Sequence, residues 1–187
     1  MSLPPRLLAL AALAAALPVH AVEYGKVLPE KSEIRFVSKQ MGVPVDGRFR
    51  RFDAQLSFDP ARPEAGSARI SVDLAGLDTG NDEANAEART RGWFDVRNFP
   101  AATFVSSGVK PLGPGRYEVA GTLTIKGRSR EFSAPVTFRQ DGANAVLEGS
   151  FVVKRLQFAV GEGPWSDLET VADDVQVRFK VTAAPVK

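Results

Sequence analysis

The sequence contains no cysteine and only one histidine, His20. His20 lies in an amino-terminal segment that we predict is removed, which leaves the mature chain without a thiol or an imidazole. Disulfides, zinc sites built on Cys or His, and Ser-His or Cys-His catalysis are thereby excluded. Haem ligation by thiolate or imidazole is excluded for the same reason. We predict no cofactor and no metal site, and only a metal site made of carboxylates stays open.

Long apolar runs are also scarce, and the one that exists has the pattern of a secretory signal peptide at residues 1–21. Arg6 supplies a positive charge, residues 7–17 are Leu and Ala, and Pro18 ends the run before Ala21, where we expect cleavage. The run is shorter than the roughly 20 residues needed to span a bilayer. The sequence therefore predicts that residues 22–187 are exported to the bacterial periplasm and do not span the membrane.

Charge of one sign is limited, since the formal net charge is +2. The densest basic group is Arg48, Arg50 and Arg51. It is interleaved with Phe49 and Phe52, which is typical of the exposed face of a strand. No Lys/Arg block of the kind that binds nucleic acid is present, so we predict no nucleic-acid partner. A length of 187 residues with 44% hydrophobic residues predicts one domain with its own core.

What the chain has in quantity is segments that alternate apolar and polar residues, the period of a strand with one buried face. They lie at 34–39, 47–58, 68–74, 102–110, 117–125, 131–138, 147–153 and 175–181. In the second segment Phe49 is out of phase with Phe52, which predicts a bulge between Arg50 and Arg51. Short connections favour antiparallel pairing, and eight antiparallel strands can close into a barrel. We predict an all-β, eight-stranded antiparallel barrel.

One segment predicts a short helix inserted into this barrel. Residues 84–91 are rich in Ala and charged residues, and Asn81 or Asp82 is placed to cap their amino-terminal end. Glu87 and Arg91 have the i, i+4 spacing of an ion pair on a helix. Because its apolar residues are only alanines, we expect this helix to lie on the surface.

The predicted inner faces are rich in phenylalanine, which suits either a packed core or the wall of an apolar ligand site. Gly121, Gly149, Ala54 and Ala134 lie on the same faces. Such small residues would leave room, which favours a cavity.

Two acidic groups are candidates for general acid-base catalysis, namely Asp78 with Asp82 and Glu83, and Asp173 with Asp174. Helix capping explains the first group, and turn or strand-start chemistry explains the second. No phosphate-binding glycine loop follows a parallel strand. We therefore predict binding rather than catalysis.

Several runs, taken in order, are similar to those of a known family. They are residues 42–49 (GVPVDGRF), 92–96 (GWFDV), 121–127 (GTLTIKG), Arg155, 161–165 (GEGPW) and the strand 175–181. Together they resemble the YceI-like family of bacterial periplasmic lipid-binding proteins, over roughly residues 23–183. The resemblance implies an extended, lipocalin-like barrel with one inserted helix. It also implies a homodimer and a channel that holds a polyisoprenoid chain, such as the tail of a quinone or a prenyl phosphate.

Many family members carry a histidine before the first glycine of the early motif, where this chain has Gln40 and Met41. A head-group contact through that imidazole is therefore not expected here, and the apolar channel is unaffected. The side chains that we predict to bind the lipid along the channel are Phe52, Phe58, Leu74, Phe104, Leu123 and Phe151, with Trp93, Phe94 and Trp165 guarding one end.

Three functional hypotheses stay open at this point. The first is a periplasmic binding or carrier protein for an apolar isoprenoid lipid. The second is a tightly packed barrel without a ligand, acting as an interaction or stress-protective module. The third is an enzyme that modifies an isoprenoid through carboxylates. An apolar cavity separates the first from the second, and a carboxylate buried in that cavity would favour the third.

Overall fold

A computed structural model describes residues 22–186, which contain eleven strands and one α-helix. The strands are β1 (Tyr24–Val27), β2 (Glu33–Gln40), β3 (Val43–Phe49), β4 (Phe52–Ser57), β5 (Ser67–Asp73), β6 (Leu77–Asp78), β7 (Ala101–Gly113), β8 (Arg116–Ile125), β9 (Arg128–Asp141), β10 (Asn144–Lys154) and β11 (Asp174–Pro185). The predicted signal peptide, residues 1–21, lies outside the described residues. No helix within the described residues has the length and apolar character needed to cross a membrane.

The eleven strands fill eight positions around a lipocalin-like barrel, because three positions each contain two short strands. β1 and β2 both pair with β11, while β3 pairs with β2 and β6, and β4 pairs with β5. From β5 through β7 to β11, each strand pairs antiparallel with the next. Tyr24 and Phe58 exchange backbone hydrogen bonds of 2.8 and 3.0 Å, which join β1 to the end of β4. The predicted antiparallel barrel is confirmed, with more strand segments than predicted.

The predicted bulge between Arg50 and Arg51 is in fact a break between β3 and β4. The backbone N–H of Arg50 donates to the carbonyl of Gly76 at 2.9 Å, and the N–H of Asp73 donates to the carbonyl of Arg51 at 3.1 Å. The change of phase in the sequence therefore marks the point where the chain bends between β3 and β4. The pairing partner changes there from β6 to β5.

Carboxylates neutralise the basic residues at this break. Arg48 and Arg50 each donate a side-chain hydrogen bond of 3.1 Å to Asp78. Arg51 donates to Asp73 at 2.7 Å. The three arginines are exposed, in agreement with the sequence pattern. A backbone hydrogen bond from Gly80 and the two guanidinium groups lower the pKa of Asp78 from 3.8 to about 2.

We expect Asp78 to stay ionised until the pH approaches 2. Because folding depresses this pKa, the resulting stabilisation is fully present above pH 3.8 and is lost as the pH falls towards 2. The carboxyl ¹³C chemical shift of Asp78, followed by NMR, gives the titration midpoint. The midpoint should rise in an Arg48→Gln, Arg50→Gln variant. A wild-type midpoint of 3.8 would show that these contacts do not hold in solution.

The predicted helix is α1 (Asp82–Ala88), and Asn81 caps it by accepting a 2.9 Å hydrogen bond from a backbone N–H of the first turn. The helix ends before Arg91, so the predicted pair between Glu87 and Arg91 does not form. Glu87 instead accepts a 2.9 Å hydrogen bond from the indole of Trp165. Four of its seven residues, among them Ala84 and Ala86, are exposed, so α1 lies on the surface as predicted, while one side of it borders the interior of the barrel.

Phenylalanine rings on the inner face lie against glycines of neighbouring strands. The three pairs are Phe36 with Gly47, Phe179 with Gly149, and Phe104 with Gly121. A Cβ atom at any of these glycines would overlap the ring beside it. The prediction that Gly121 and Gly149 leave room in the interior is therefore wrong. The glycines instead let each ring approach the sheet closely, which keeps the rings away from the centre of the barrel.

We expect Gly47→Ala to lower the free energy of unfolding by about 1–3 kcal/mol, because the added methyl group overlaps the buried ring of Phe36. Gly108→Ala is the matched control, since a Cβ there would meet nothing within 4 Å. Phe36→Leu should recover part of the loss when combined with Gly47→Ala. Urea unfolding of the wild-type protein, Gly47→Ala, Phe36→Leu and their combination gives a double-mutant cycle. Equal effects of Gly47→Ala and Gly108→Ala would contradict this explanation.

Candidate ligand-binding cavity

The barrel encloses a cavity of about 750 Å³. This volume lies within the roughly 300–1,000 Å³ that is typical of small-molecule sites. Strands β2 to β11 and helix α1 all contribute lining residues, and most of these residues are apolar. The interior is thus not filled by its own side chains, which is the feature that separates a ligand-binding barrel from a packed one.

Packed side chains narrow one end of the cavity, beside the β4–β5 connection. Phe58, Tyr117, Val136 and Leu147 form a buried cluster there. The rings of Phe58 and Tyr117 meet edge to face with centroids 5.2 Å apart. Phe58 is only 4% exposed, and the backbone pairing of this residue with Tyr24 fixes its position. Apolar side chains therefore fill much of this end of the barrel.

A row of phenylalanine rings crosses the middle of the cavity wall. The successive centroid distances are 6.5 Å from Phe104 to Phe132, 4.5 Å from Phe132 to Phe151 and 6.2 Å from Phe151 to Phe179. These residues belong to β7, β9, β10 and β11, and all four line the cavity. Rings that contact each other in this way form a continuous surface suited to a long hydrocarbon chain.

The other end of the cavity has a polar rim. Gln40, Asn81 and Glu83 border the cavity and are exposed, so the cavity reaches solvent at this point. Ser38, Thr79 and Glu87 lie along the same rim. At the opposite end, beside Phe58 and the β4–β5 connection, the exposed residues Gln55 and Ser67 also border the cavity, and neither carries a charge.

Two tryptophans lie side by side at the α1 end. The ring centroids of Trp93 and Trp165 are 5.7 Å apart, and both residues border the cavity. The indole N–H of Trp165 donates to Glu87. The indole N–H of Trp93 is the one buried side-chain polar group without a hydrogen-bond partner in the described residues. An unpaired buried donor is unusual in a folded protein.

A buried arginine organises the loop that carries Trp165. Arg155 is 3% exposed, and its guanidinium carbon lies 5.8 Å from the centroid of the Trp93 ring. Its five hydrogen bonds, of 2.6–3.0 Å, go to the backbone carbonyls of Val160, Gly161, Trp165, Val171 and Ala172. Burial lowers the pKa of Arg155, and the nearby Asp173 partly offsets this effect. An arginine stays charged despite such a shift.

Gly161 is required beside this arginine. It has φ +76°, and a Cβ atom there would overlap the guanidinium group of Arg155. The backbone N–H groups of Gly161 and Glu162 both donate to the carbonyl of Gly92, at 3.0 and 2.8 Å. The loop is thereby fixed both to Arg155 and to the segment that carries Trp93.

The residues predicted from the sequence to bind a ligand lie around one cavity, with a single exception. Phe58, Leu74, Phe104, Leu123 and Phe151 line its wall, and Trp93, Phe94 and Trp165 lie at its α1 end. That they contact a lipid stays a prediction.

Phe52 does not line the cavity, so its predicted place in the channel wall is wrong. It is the first residue after the break at Arg50 and Arg51, and it is only half-buried. Phe49, the last residue before the break, lines the cavity instead and packs against Phe36 with centroids 5.4 Å apart.

The prediction missed several lining residues that the alternation pattern contains. Phe132 and Phe179 lie on strand faces that the sequence already identified as apolar. The alternation of apolar and polar residues around them was enough to indicate that both side chains point inward. Gln40 borders the rim, although only the family resemblance drew attention to it. Nothing in the local sequence indicated that Arg155 would be buried or that it would bind five carbonyls.

Three of the five acidic residues considered for catalysis have structural partners. Asp78 binds two arginines, Asp173 accepts a backbone hydrogen bond of 2.9 Å, and Asp174 pairs with Lys154 at 2.8 Å. The two carboxylates at the cavity rim are not buried, because Glu83 is exposed and Glu87 is half-exposed. Among residues 22–186, no three His, Cys, Asp or Glu side chains gather in a way that could hold a metal ion.

Fold and cavity together define a lipocalin-like antiparallel barrel with an apolar internal chamber. A family model for the YceI-like domain matches residues 26–183. The chain belongs to the YceI-like family.

Relatives and solved structures agree with this assignment. A UPF0312 protein from Azotobacter vinelandii is 30% identical over 141 residues, which cover 72% of this chain and 71% of the relative. The crystal structure of BcnA from Burkholderia cenocepacia has 43% identity and a TM-score of 0.83, and the match covers 85% of this chain and 100% of that one. A polyisoprenoid binding domain from Saccharophagus degradans has 17% identity and a TM-score of 0.67, covering 89% of this chain and 99% of that one. At such low identity the last likeness shows the fold alone.

Proposed function

We propose that this chain is a periplasmic binding or carrier protein for a polyisoprenoid lipid, such as a quinone-like or prenyl chain. The observation that carries the proposal is the chamber of about 750 Å³ with a mostly apolar lining. The Saccharophagus degradans domain with the same fold is described as polyisoprenoid binding, which supports the same ligand class here. Location in the periplasm rests on the signal-peptide pattern of residues 1–21, and homodimer formation stays a prediction from the family resemblance.

Burial of the isoprenoid tail suffices to explain useful affinity. Each isoprene unit has five carbons, and burial contributes roughly 0.8 kcal/mol per methylene-sized group, so one unit contributes about 3–4 kcal/mol before costs. A micromolar dissociation constant corresponds to a net binding free energy of about 8 kcal/mol, which is what remains after the cost of association. A few buried units therefore give such affinity without any head-group contact.

The arrangement of polar groups favours binding over chemistry. Asp78 and Asp174 are held by arginine and lysine partners, and the rim carboxylates face solvent. A general acid or base must lie within hydrogen-bond reach of a reacting atom, and the only carboxylates that border the chamber in the described residues are Glu83 and Glu87 at its rim. We accordingly propose a role in sheltering a lipid and not in modifying it.

The direct test is organic extraction of protein purified from a native periplasm, followed by mass spectrometry of the extract. The proposal predicts one isoprenoid lipid for each chain. A sample that releases no lipid and also fails to bind added ubiquinone would contradict the proposal and favour a ligand-free barrel that acts as an interaction module.

A further inference from the structure

We propose that the chamber selects isoprenoid lipids with an uncharged polar end and discriminates against the corresponding phosphates. This inference rests on the proposed function and refines its ligand class. Two observations support it. They are the signs of the charges that border the chamber, and the fact that the hydrogen-bond donors of Arg155 already bind backbone carbonyls.

Among the described residues, three charged side chains border the chamber, and all lie at the α1 end. They are Glu83, Glu87 and Arg155. Glu83 and Glu87 lie on the side of α1 that borders the chamber. A phosphate monoester carries roughly −1.5 to −2 charge at pH 7. Both carboxylates repel such a group, and water screens the half-buried Glu87 less than the exposed Glu83.

Arg155 is the one cation at the chamber in the described residues, and it has no donor left to offer. All five N–H groups of a guanidinium are accounted for by its five bonds to backbone carbonyls. To bind a phosphate, Arg155 would have to release one or more of these carbonyls, and its bonds to Val160, Gly161 and Val171 are buried. An anionic head group therefore gains no charge-assisted hydrogen bond from this arginine in the present arrangement.

Uncharged polar groups suit the same end better. Ser38, Gln40, Thr79 and Asn81 supply neutral hydroxyl and amide groups along the rim. A ligand hydroxyl or carbonyl group can form hydrogen bonds with these rim groups without bringing a charge into the chamber. The second edge of the chamber, at Gln55 and Ser67, also lacks a cation, so a phosphate has no favourable position there.

Two probes with the same four-unit chain test the inference, namely geranylgeraniol and geranylgeranyl phosphate. Their dissociation constants are measured by tryptophan fluorescence at constant ionic strength, below the concentration at which either probe forms micelles. We expect the wild-type protein to bind the alcohol at least about tenfold more tightly than the phosphate. The ¹⁵N–¹H signal of the Trp93 indole should shift when the alcohol binds.

The discriminating variant is Glu83→Gln combined with Glu87→Gln. The second substitution keeps an amide oxygen as acceptor for the Trp165 indole, so the local fold should persist. We expect this variant to bind the phosphate several-fold more tightly than the wild-type protein does, which narrows the ratio of the two dissociation constants by the same factor. The control is Glu30→Gln combined with Glu131→Gln, which changes the net charge equally at exposed positions that do not border the chamber.

The outcomes separate the inference from the proposed function. If neither probe binds the wild-type protein, the proposed function fails. If the phosphate binds as tightly as the alcohol or more tightly, the proposed function stands and the inference is overturned. If the control variant gains as much phosphate affinity as the Glu83 and Glu87 variant, the gain reflects net charge, and the assigned role of these two residues is overturned.

Discussion

Ala54→Trp should reduce the affinity for an isoprenoid lipid by about 100-fold or more. Ala54 lies on β4, pairs with Ile70 and lines the chamber. An indole at this position occupies space that about one isoprene unit would otherwise use, and the loss of one buried unit corresponds to about 3 kcal/mol or more. Because the indole enters empty space, the barrel should remain folded.

The series Ala54→Leu, Ala54→Phe and Ala54→Trp makes this test quantitative. Affinity, measured by titration with ubiquinone, should fall as the side chain grows, while the far-UV circular dichroism stays constant. Asp53→Trp is the matched control, because it puts the same indole on the exposed outer face of the same strand. Equal affinities for the Ala54→Trp variant and the wild-type protein would show that the lipid binds elsewhere.

Arg155→Ala should lower the free energy of unfolding by about 3–5 kcal/mol. The substitution removes all five hydrogen bonds of the guanidinium group. A buried acceptor left without a partner costs about 1–3 kcal/mol, and water entering the space will satisfy some of these carbonyls. The loop at residues 161–174 should lose protection from hydrogen exchange before the rest of the barrel does.

Arg155→Lys distinguishes charge from hydrogen bonding. A lysine keeps the positive charge but has three donors in place of five, so we expect an intermediate loss of stability. The control is Arg69→Ala on the exposed face of β5, where a change within about 0.5 kcal/mol is expected. Urea unfolding measures all of these variants. If Arg155→Ala cost less than about 1 kcal/mol, the assigned role of the guanidinium group would be wrong.

The strand faces were predictable because the direction of a side chain in a strand is a local property with a period of two residues. This is why Phe58, Phe104 and Phe151 were placed correctly on the inner wall. The break near Arg50 was also visible as a change of phase. Phe52 was misplaced because the pairing on each side of that break depends on the partner strands.

Cross-strand register explains the other main differences between the predicted and the observed interior. Gly149 was predicted to leave empty space, but the register of β10 with β11 puts Phe179 directly beside it. Arg155 binds carbonyls that lie 5 to 17 residues further along the chain. Such contacts depend on how a loop folds back, which neither composition nor periodicity specifies.

The account depends on an apolar chamber that admits the tail of a lipid. The most direct measurement is a crystal structure of the protein after incubation with a ubiquinone that has a long isoprenoid tail. We predict continuous density for the tail from the Phe58 and Tyr117 cluster, along the phenylalanine row, to the rim beside α1. Density on the outer surface only, or side chains that fill the chamber completely, would contradict the account.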